Sequence, residues 1–265
     1  MENRLRLSRW IYYLTSLPTL AFGITNWPSV IVALVTRSGP FIVKLRGGLR
    51  FKVRTLMDIW IIKETCLDHE YERASVPIQN GWTVIDIGAA LGDFTIYAAK
   101  KIGHGTVYAY EPSPTSFALL NENIRLNDVQ NLHPSQVAVS GHAGTLFLDT
   151  SARESVLVRT APLAPDASRK EVSAITLDQV FEQTGVTQCD FLKIDTEGAE
   201  FDILFNASDS TLRNIRHICL EYHDHVTNHT HADLAAFLEQ HGFAVTIHPN
   251  PAHGYLGLLH AANRA

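Results

Sequence analysis

Asp86 lies in the run Thr83-Val-Ile-Asp-Ile-Gly88, Glu111 closes Thr106-Val-Tyr-Ala-Tyr-Glu111, and Asp195 closes Asp190-Phe-Leu-Lys-Ile-Asp195. Glu221 and His223 end a further run that starts at Ile215. Runs this short, rich in β-branched and aromatic residues, read as buried strands, so all these polar groups fall at or near strand ends. Ligands of open α/β sheets bind at that carboxyl edge. Gly88 and Gly92 bracket a turn and a helical pattern opens after Gly92, which brings a helix N-terminus to the same edge. A carboxylate at Glu111 can accept both hydroxyls of an adenosyl ribose, so the turn and the acid together point to a nucleotide-type cofactor. A strand-end carboxylate or imidazole can also remove a proton from an attacking nucleophile. Asp195 is the first candidate for that role, and His223, with Glu221 as its orienter, is the second.

Two other clusters carry less. His225 and His229 stand four apart beside Asp224, a spacing that could ligate a metal on a continuous helix. No glutamate follows the first histidine and Thr227-Asn228 interrupts the helix, so the segment reads as a solvated loop and no metal ligand is assigned there. A divalent ion at Asp195 stays open. Lys193 reads as a structural ion-pair partner.

Positioning these groups requires alternating strands and helices, hence a mostly parallel sheet. One helix runs from Gly92 to about Ile102, and a second opens at Ser113-Pro114 with Phe117, Leu120 and Ile124 as its apolar stripe. Gln136–Val139 is expected as the third strand and Gly144–Leu148 as a short added one. Ser151–Lys170, rich in Ala, Pro, Ser and Arg, reads as a surface loop able to serve as a lid. Helices follow at Thr176–Gln183 and Ala232–His241, and Phe243–His248 with Tyr255–His260 closes the chain as a hairpin.

Residues 1–80 form a lead-in to a main domain at 81–265. Ile11 to Thr36 carries no charge, but Pro18 and Pro28 split it. The expectation is two short helices, Ser8–Ala21 and Pro28–Thr36, that either pack on the domain or lie at a membrane surface. Phe41–Arg54 alternates around Gly47-Gly48 as a hairpin whose outer face holds Lys44, Arg46, Arg50, Lys52 and Arg54. Thr55-Leu-Met-Asp58 is a capping box that opens another helix.

The 265 residues can bury a sizeable core, and a formal net charge of −5 argues against a nucleic-acid partner. Cys66, Cys189 and Cys219 are too few for a disulfide framework and fit free thiols in a reducing, cytoplasmic setting.

A late hairpin on a doubly wound sheet is a hallmark of S-adenosylmethionine-dependent methyltransferases. Val84-Ile-Asp-Ile-Gly-Ala-Ala-Leu-Gly92, Tyr110-Glu-Pro-Ser-Pro114 and Leu192-Lys-Ile-Asp-Thr-Glu-Gly-Ala-Glu200 resemble the FkbM family of methyltransferases over Trp82 to Tyr222. The last block is the most selective of the three. The resemblance implies a class I methyltransferase fold, Rossmann-like, with seven mostly parallel strands and an antiparallel C-terminal hairpin strand. It also implies methyl transfer, usually to oxygen. Asp86, Gly88, Ala89, Gly92 and Thr95 would surround the methionine end of the cofactor, Glu111 would hold the ribose, and Pro112 and Val137–Ala138 would flank adenine. Asp195 could bind the cofactor's ammonium group as well as act as base. Ala90 departs from the family, which commonly has asparagine there.

The function expected is therefore O-methylation of a hydroxyl on a sugar, glycan lipid or secondary metabolite. An NAD-dependent oxidoreductase shares the glycine turn and the acid, but has Gly-x-Gly-x-x-Gly where this chain has Gly-x-x-x-Gly. A non-catalytic, membrane-associated binding module of the same fold is the third reading.

Overall fold

The computed structural model describes residues 2–149, 156–157, 169–250 and 253–264. In chain order the elements begin with α1 (Glu2–Gly23), α2 (Trp27–Thr36), β1 (Phe41–Lys44), β2 (Arg50–Val53) and α3 (Leu56–Ile62). A π-helical turn, Lys63–Leu67, continues α3, and α4 (Glu70–Ala74) follows. The central part holds β3 (Thr83–Ile87), α5 (Asp93–Lys101), β4 (Thr106–Tyr110), α6 (Pro114–Leu126), β5 (Leu132–Ser135), β6 (Ala138–Val139), β7 (Gly144–Asp149), β8 (Val156–Leu157) and β9 (Arg169–Ile175). The last part holds α7 (Leu177–Thr184), β10 (Cys189–Ile194), α8 (Glu200–Phe205), α9 (Asp209–Arg213), β11 (Ile215–His223), α10 (His231–Gln240), β12 (Phe243–Pro249) and β13 (Leu256–Asn263).

Seven strands form the main sheet in the order β12-β13-β11-β10-β3-β4-β5. β11, β10, β3, β4 and β5 run parallel, while β13 is antiparallel to both β11 and β12. The order reverses beside β3, between the β4 and β10 sides, which brings the ends of β3, β4 and β10 to one switch point. Strand alternation sends Val84 and Phe191 to one apolar cluster, with α5 and α6, and Ile85, Ile87, Leu192 and Ile194 to the other, with α7 to α10. The first cluster also takes in Val30, Val43, Phe51, Ile59 and Ile62, so the core continues without a break from the lead-in into the main domain.

Two expectations are corrected. The strand after α6 is β5, Leu132–Ser135, not Gln136–Val139. Pro134 interrupts its pattern, and a proline fits because β5 is the sheet's edge strand and can lack a donor. Ala138–Val139 instead joins a second, four-stranded sheet of order β6-β9-β7-β8, which includes a strand, β9, where no element was expected. Of the Ser151–Lys170 loop, only 156–157 and 169–170 are among the described residues.

In the lead-in, the hairpin pairs Phe41 with Val53 through Lys44 with Arg50, and burial of Val43, Leu45, Phe51 and Val53 confirms its inner face. The outer edge of β2 has no strand neighbour and is satisfied by side chains. Asn127 accepts from Arg50 N at 2.9 Å and donates to Arg50 O at 2.6 Å, and Asn123 accepts from Lys52 N at 2.6 Å and donates to Lys52 O at 3.2 Å. Four residues apart on α6, the two amides reproduce a strand's hydrogen bonds and clamp the hairpin to the main domain. The capping box at Thr55 and Asp58 is present. α1 is longer than expected and carries Pro18 within it.

Candidate active site

The glycine turn is tight and strained. Gly88, Ala90 and Gly92 adopt φ of 81°, 45° and 91°. Gly88 is required by close approach: a Cβ there would stand 1.8 Å from the carbonyl oxygen of Asp195, where the ends of β3 and β10 meet. Ala90 has no such freedom, since the left-handed region costs an L residue about 1 kcal/mol or more. Asparagine tolerates that region better than alanine, which gives a backbone reason for its use at this position.

The turn's N–H groups are already engaged. Those of Gly88 and Ala89 donate to Tyr110 O, that of Gly92 to Ala89 O, and that of Ala90 to Glu111 Oε2 at 2.8 Å. Glu111, buried at the end of β4, also accepts from Ser113 N through Oε1 at 2.8 Å. A carboxylate has about four lone-pair sites, and these bonds fix the orientation of this one. Pro112 follows it half-buried, and Ser113 caps α6. Val137 is half-buried in the link between β5 and β6, and Ala138 is buried in the second sheet.

Asp86 is wholly buried, its Oδ2 accepting from Thr95 Oγ1 and its Oδ1 3.1 Å from Lys193 Nζ. Lys193 Nζ donates to Gly88 O at 2.8 Å and lies 3.8 Å from Asp195 Oδ2. Burial would lower the lysine's pKa, but Asp86, Asp195 and Asp93 outweigh it and hold the pKa above its ordinary value. Lys193 is thus the buried cation that ties Asp86 to the turn, in the structural role expected of it. Asp93, the first residue of α5, accepts from Thr65 Oγ1 at 2.6 Å, and burial pushes its carboxyl up to about 6.

The ends of β10 and β11 meet around a residue that the strand-end reading did not select. Glu200 is fully buried at the start of α8, and its Oε1 accepts from Thr196 N at 2.9 Å, Thr196 Oγ1 at 3.1 Å and Gly198 N at 3.1 Å. His223 Nδ1 lies 3.2 Å from the same oxygen. The orienter of His223 is therefore Glu200, not Glu221. His223 Nε2 faces Glu197 Oε2 at 3.4 Å. Burial alone would lower the imidazole's pKa, but the hydrogen bond and charge of Glu200, with Asp195 and Glu221 nearby, raise it to about 10. Asp195, Glu200 and His223 each offer a ligand atom within 4.8 Å of the others, a spacing that could hold a cation.

Asp195 is half-exposed, and its Oδ2 accepts from Tyr71 OH at 3.2 Å. Tyr71 comes from α4, 124 residues earlier, and nothing in its local sequence marks it. Glu200 had one signal, its place in Glu197-Gly-Ala-Glu200, which also suits an acid that merely complements a helix dipole. His225 and His229 stay apart from this cluster: His225 is exposed beside Tyr255, and His229 stacks on Phe201.

The family model described as the methyltransferase FkbM domain matches residues 86–245. A relative from Streptomyces tacrolimicus, 31-O-demethyl-FK506 methyltransferase FkbM, is 29% identical over 221 residues, covering 72% of this chain and 84% of that protein. Hexuronic acid methyltransferase AglP from Haloferax volcanii is 23% identical over 193 residues, covering 69% of this chain and 74% of that one. Among solved structures, a putative rRNA methylase from Clostridium thermocellum superposes with a TM-score of 0.51 at 11% identity, over 75% of this chain and 96% of that one. Identity that low speaks for the fold alone. The family match and the closing antiparallel strand leave the oxidoreductase reading without support.

Proposed function

This chain belongs to the FkbM-domain methyltransferases, whose methyl donor is S-adenosylmethionine, and from that premise we propose that it methylates a hydroxyl of a sugar, glycan lipid or secondary metabolite. The observation that carries the oxygen-acceptor reading is the Asp195–Glu200–His223 cluster at the ends of β10 and β11, beside the glycine turn. The Streptomyces relative, named a 31-O-demethyl-FK506 methyltransferase, supports an oxygen acceptor, and the Haloferax relative, named a hexuronic acid methyltransferase, supports a sugar one.

The donor set suits the cofactor. Asp195, Glu197, Glu200 and Glu221 gather at one edge, while Lys193 is committed to Asp86 and Gly88 O. When bound, S-adenosylmethionine supplies a methyl group on a cationic sulfonium, and an acidic surround favours that charge. Glu111 would hold the ribose hydroxyls. Asp86, Thr95 and Lys193 would act from beneath by fixing the turn formed by Gly88, Ala89 and Gly92, while Pro112 and Val137–Ala138 would flank the adenine.

Alignment of acceptor and methyl contributes most to such a displacement. A neutral hydroxyl must also lose its proton, and Asp195 is the group we assign to take it, because its carboxylate is partly exposed and oriented by Tyr71 OH. His223, charged through neutral pH, is ill-suited to accept a proton. We assign it to positioning the acid cluster through Glu200. Residues 58–265 carry 26 acids against 13 lysines and arginines, which supports a small-molecule or glycan acceptor over a phosphate backbone. Three buried free thiols support a cytoplasmic setting.

Calorimetry with S-adenosylhomocysteine, followed by isotopically labelled methyl donor and mass spectrometry of polyhydroxylated extracts, tests the proposal. Saturable binding with label in a base-stable ether is the expected result. Label found only on nitrogen, carbon or an ester would sink the hydroxyl assignment.

A further inference from the structure

The first two helices turn apolar side chains outward. Leu14, Leu17 and Phe22 on α1 and Ile31, Val32 and Val35 on α2 are all exposed, Phe22 by 72% and Val35 by 78%. No charged residue interrupts the sequence from Ile11 to Thr36. Large apolar side chains exposed in this number on two successive helices mark an interaction site.

The surface is fixed in place. Between α1 and α2, Ile24 bridges Leu45, Thr25 N donates to Lys44 O at 2.9 Å, and Arg46 N donates to Gly23 O at 2.8 Å. Asn26 grips the same strand, donating to Ile42 O and accepting from Lys44 N, each at 2.8 Å. Since Asn123 and Asn127 hold the hairpin to α6, both helices are tied through it to the main sheet's core.

Charge selects the partner. Residues 1–57 hold nine lysines and arginines and a single acid, Glu2, in a chain whose remainder is strongly acidic. Arg37, Lys44, Arg46 and Arg50 are exposed, and none has a carboxylate partner among the described residues. Arg46 Nε donates to Phe22 O at 2.9 Å, which sets a cation beside the most prominent side chain of α1. No described helix is long and apolar enough to cross a membrane.

We propose that α1, α2 and the β1–β2 hairpin form a docking surface for an anionic lipid bilayer. The apolar side chains enter the acyl boundary while the surrounding cations meet lipid phosphates. A second copy of the chain is the weaker occupant, because pairing through this face would set Arg37, Lys44 and Arg46 near like charges.

The test uses the full chain and co-sedimentation with phosphatidylcholine vesicles, with and without phosphatidylglycerol. Binding is expected to the anionic vesicles and to fall as salt rises. Phe22→Gln with Val35→Gln should weaken it on the order of tenfold, and Arg37→Gln and Lys44→Gln by roughly fivefold each. Circular dichroism and S-adenosylhomocysteine binding should be unchanged in every variant, a readout independent of any acceptor. Equal binding to neutral vesicles, no binding, or binding unaffected by the arginine and lysine variants would overturn the proposal. So would a stable dimer by light scattering that Phe22→Gln with Val35→Gln converts to monomer.

Discussion

His223 Nδ1 lies 3.2 Å from Glu200 Oε1, on a carboxylate oxygen that also accepts Thr196 N, Thr196 Oγ1 and Gly198 N. One buried acid thus fixes both the loop after β10 and the ring at the end of β11. Its charge is balanced chiefly by the imidazolium, so the pair behaves as a unit. Glu200→Gln should cost about 3 kcal/mol in urea unfolding, since it leaves the histidine without its counter-charge. The side-chain nitrogen resonances of His223 should then titrate well below the wild-type value. An unchanged titration would show that another acid sets the ring's charge.

The same pair gives a pH dependence with a definite sign. The folded pKa of His223, about 10, lies above that of an unfolded histidine, roughly 6.5. Its stabilising contribution is therefore complete below about pH 6.5 and is lost as pH rises through about 10. The urea midpoint of the wild type should fall between neutral pH and pH 10, and the fall should be smaller in His223→Gln. Parallel curves for the two proteins would contradict the assignment.

Glu111 and Asp195 should separate binding from turnover. Glu111→Ala should weaken S-adenosylhomocysteine binding on the order of tenfold or more, through the lost ribose acceptor and the released N–H groups of Ala90 and Ser113. Asp195→Asn should lower kcat by roughly a hundredfold, with a smaller change in cofactor affinity. Equal losses of affinity and kcat in both variants would contradict that division.

Ala90 at φ 45° is a local fault that one substitution can relieve. Ala90→Asn should stabilise the protein by up to about 1 kcal/mol, which for a chain of this size is a rise in Tm of roughly 2–4 °C. A lower Tm would mean that the asparagine side chain clashes in the turn.

The asparagine clamp should be visible in hydrogen exchange. Asn123→Ala removes the acceptor of Lys52 N and the donor to Leu91 O, at a cost of about 1–3 kcal/mol. Exchange of the Lys52 amide should accelerate while that of Ile85, within β3, changes far less. Equal acceleration at both sites would point to global destabilisation.

Much of the fold was legible because buried parallel strands leave plain apolar runs, and the runs ending at Ile87, Tyr110 and Ile194 lie where the periodicity puts them. β5 was hidden by Pro134, which only its edge position makes acceptable. β9 was hidden because Arg169–Ile175 mixes charge with apolar residues, as a strand of a small outer sheet can. At the site, the acids could be read from strand ends, but their partners could not. Whether Glu200 or Glu221 orients His223 depends on which side chain the loop after Asp195 folds inward. The hydrogen bond from Tyr71 is a long-range contact with no periodic trace. Burial of Lys193 against Asp86 follows from strand alternation, which sends both to the face opposite Ile194 and Ile87.

The π-helical turn at Lys63–Leu67 sets a phase for everything that follows it. Glu64 faces Tyr12 OH and Trp60 Nε1, while Thr65 and Cys66, next in sequence, face Asp93 on α5. The wide turn absorbs one residue beyond an α-turn; wound at ordinary pitch, about 100° per residue, the same residues would rotate the downstream chain by about that angle. Tyr71 would then be carried away from Asp195, although no residue of the acid cluster had been changed. The lead-in thus works as a spacer whose pitch, and not only its side chains, sets where Tyr71 meets Asp195.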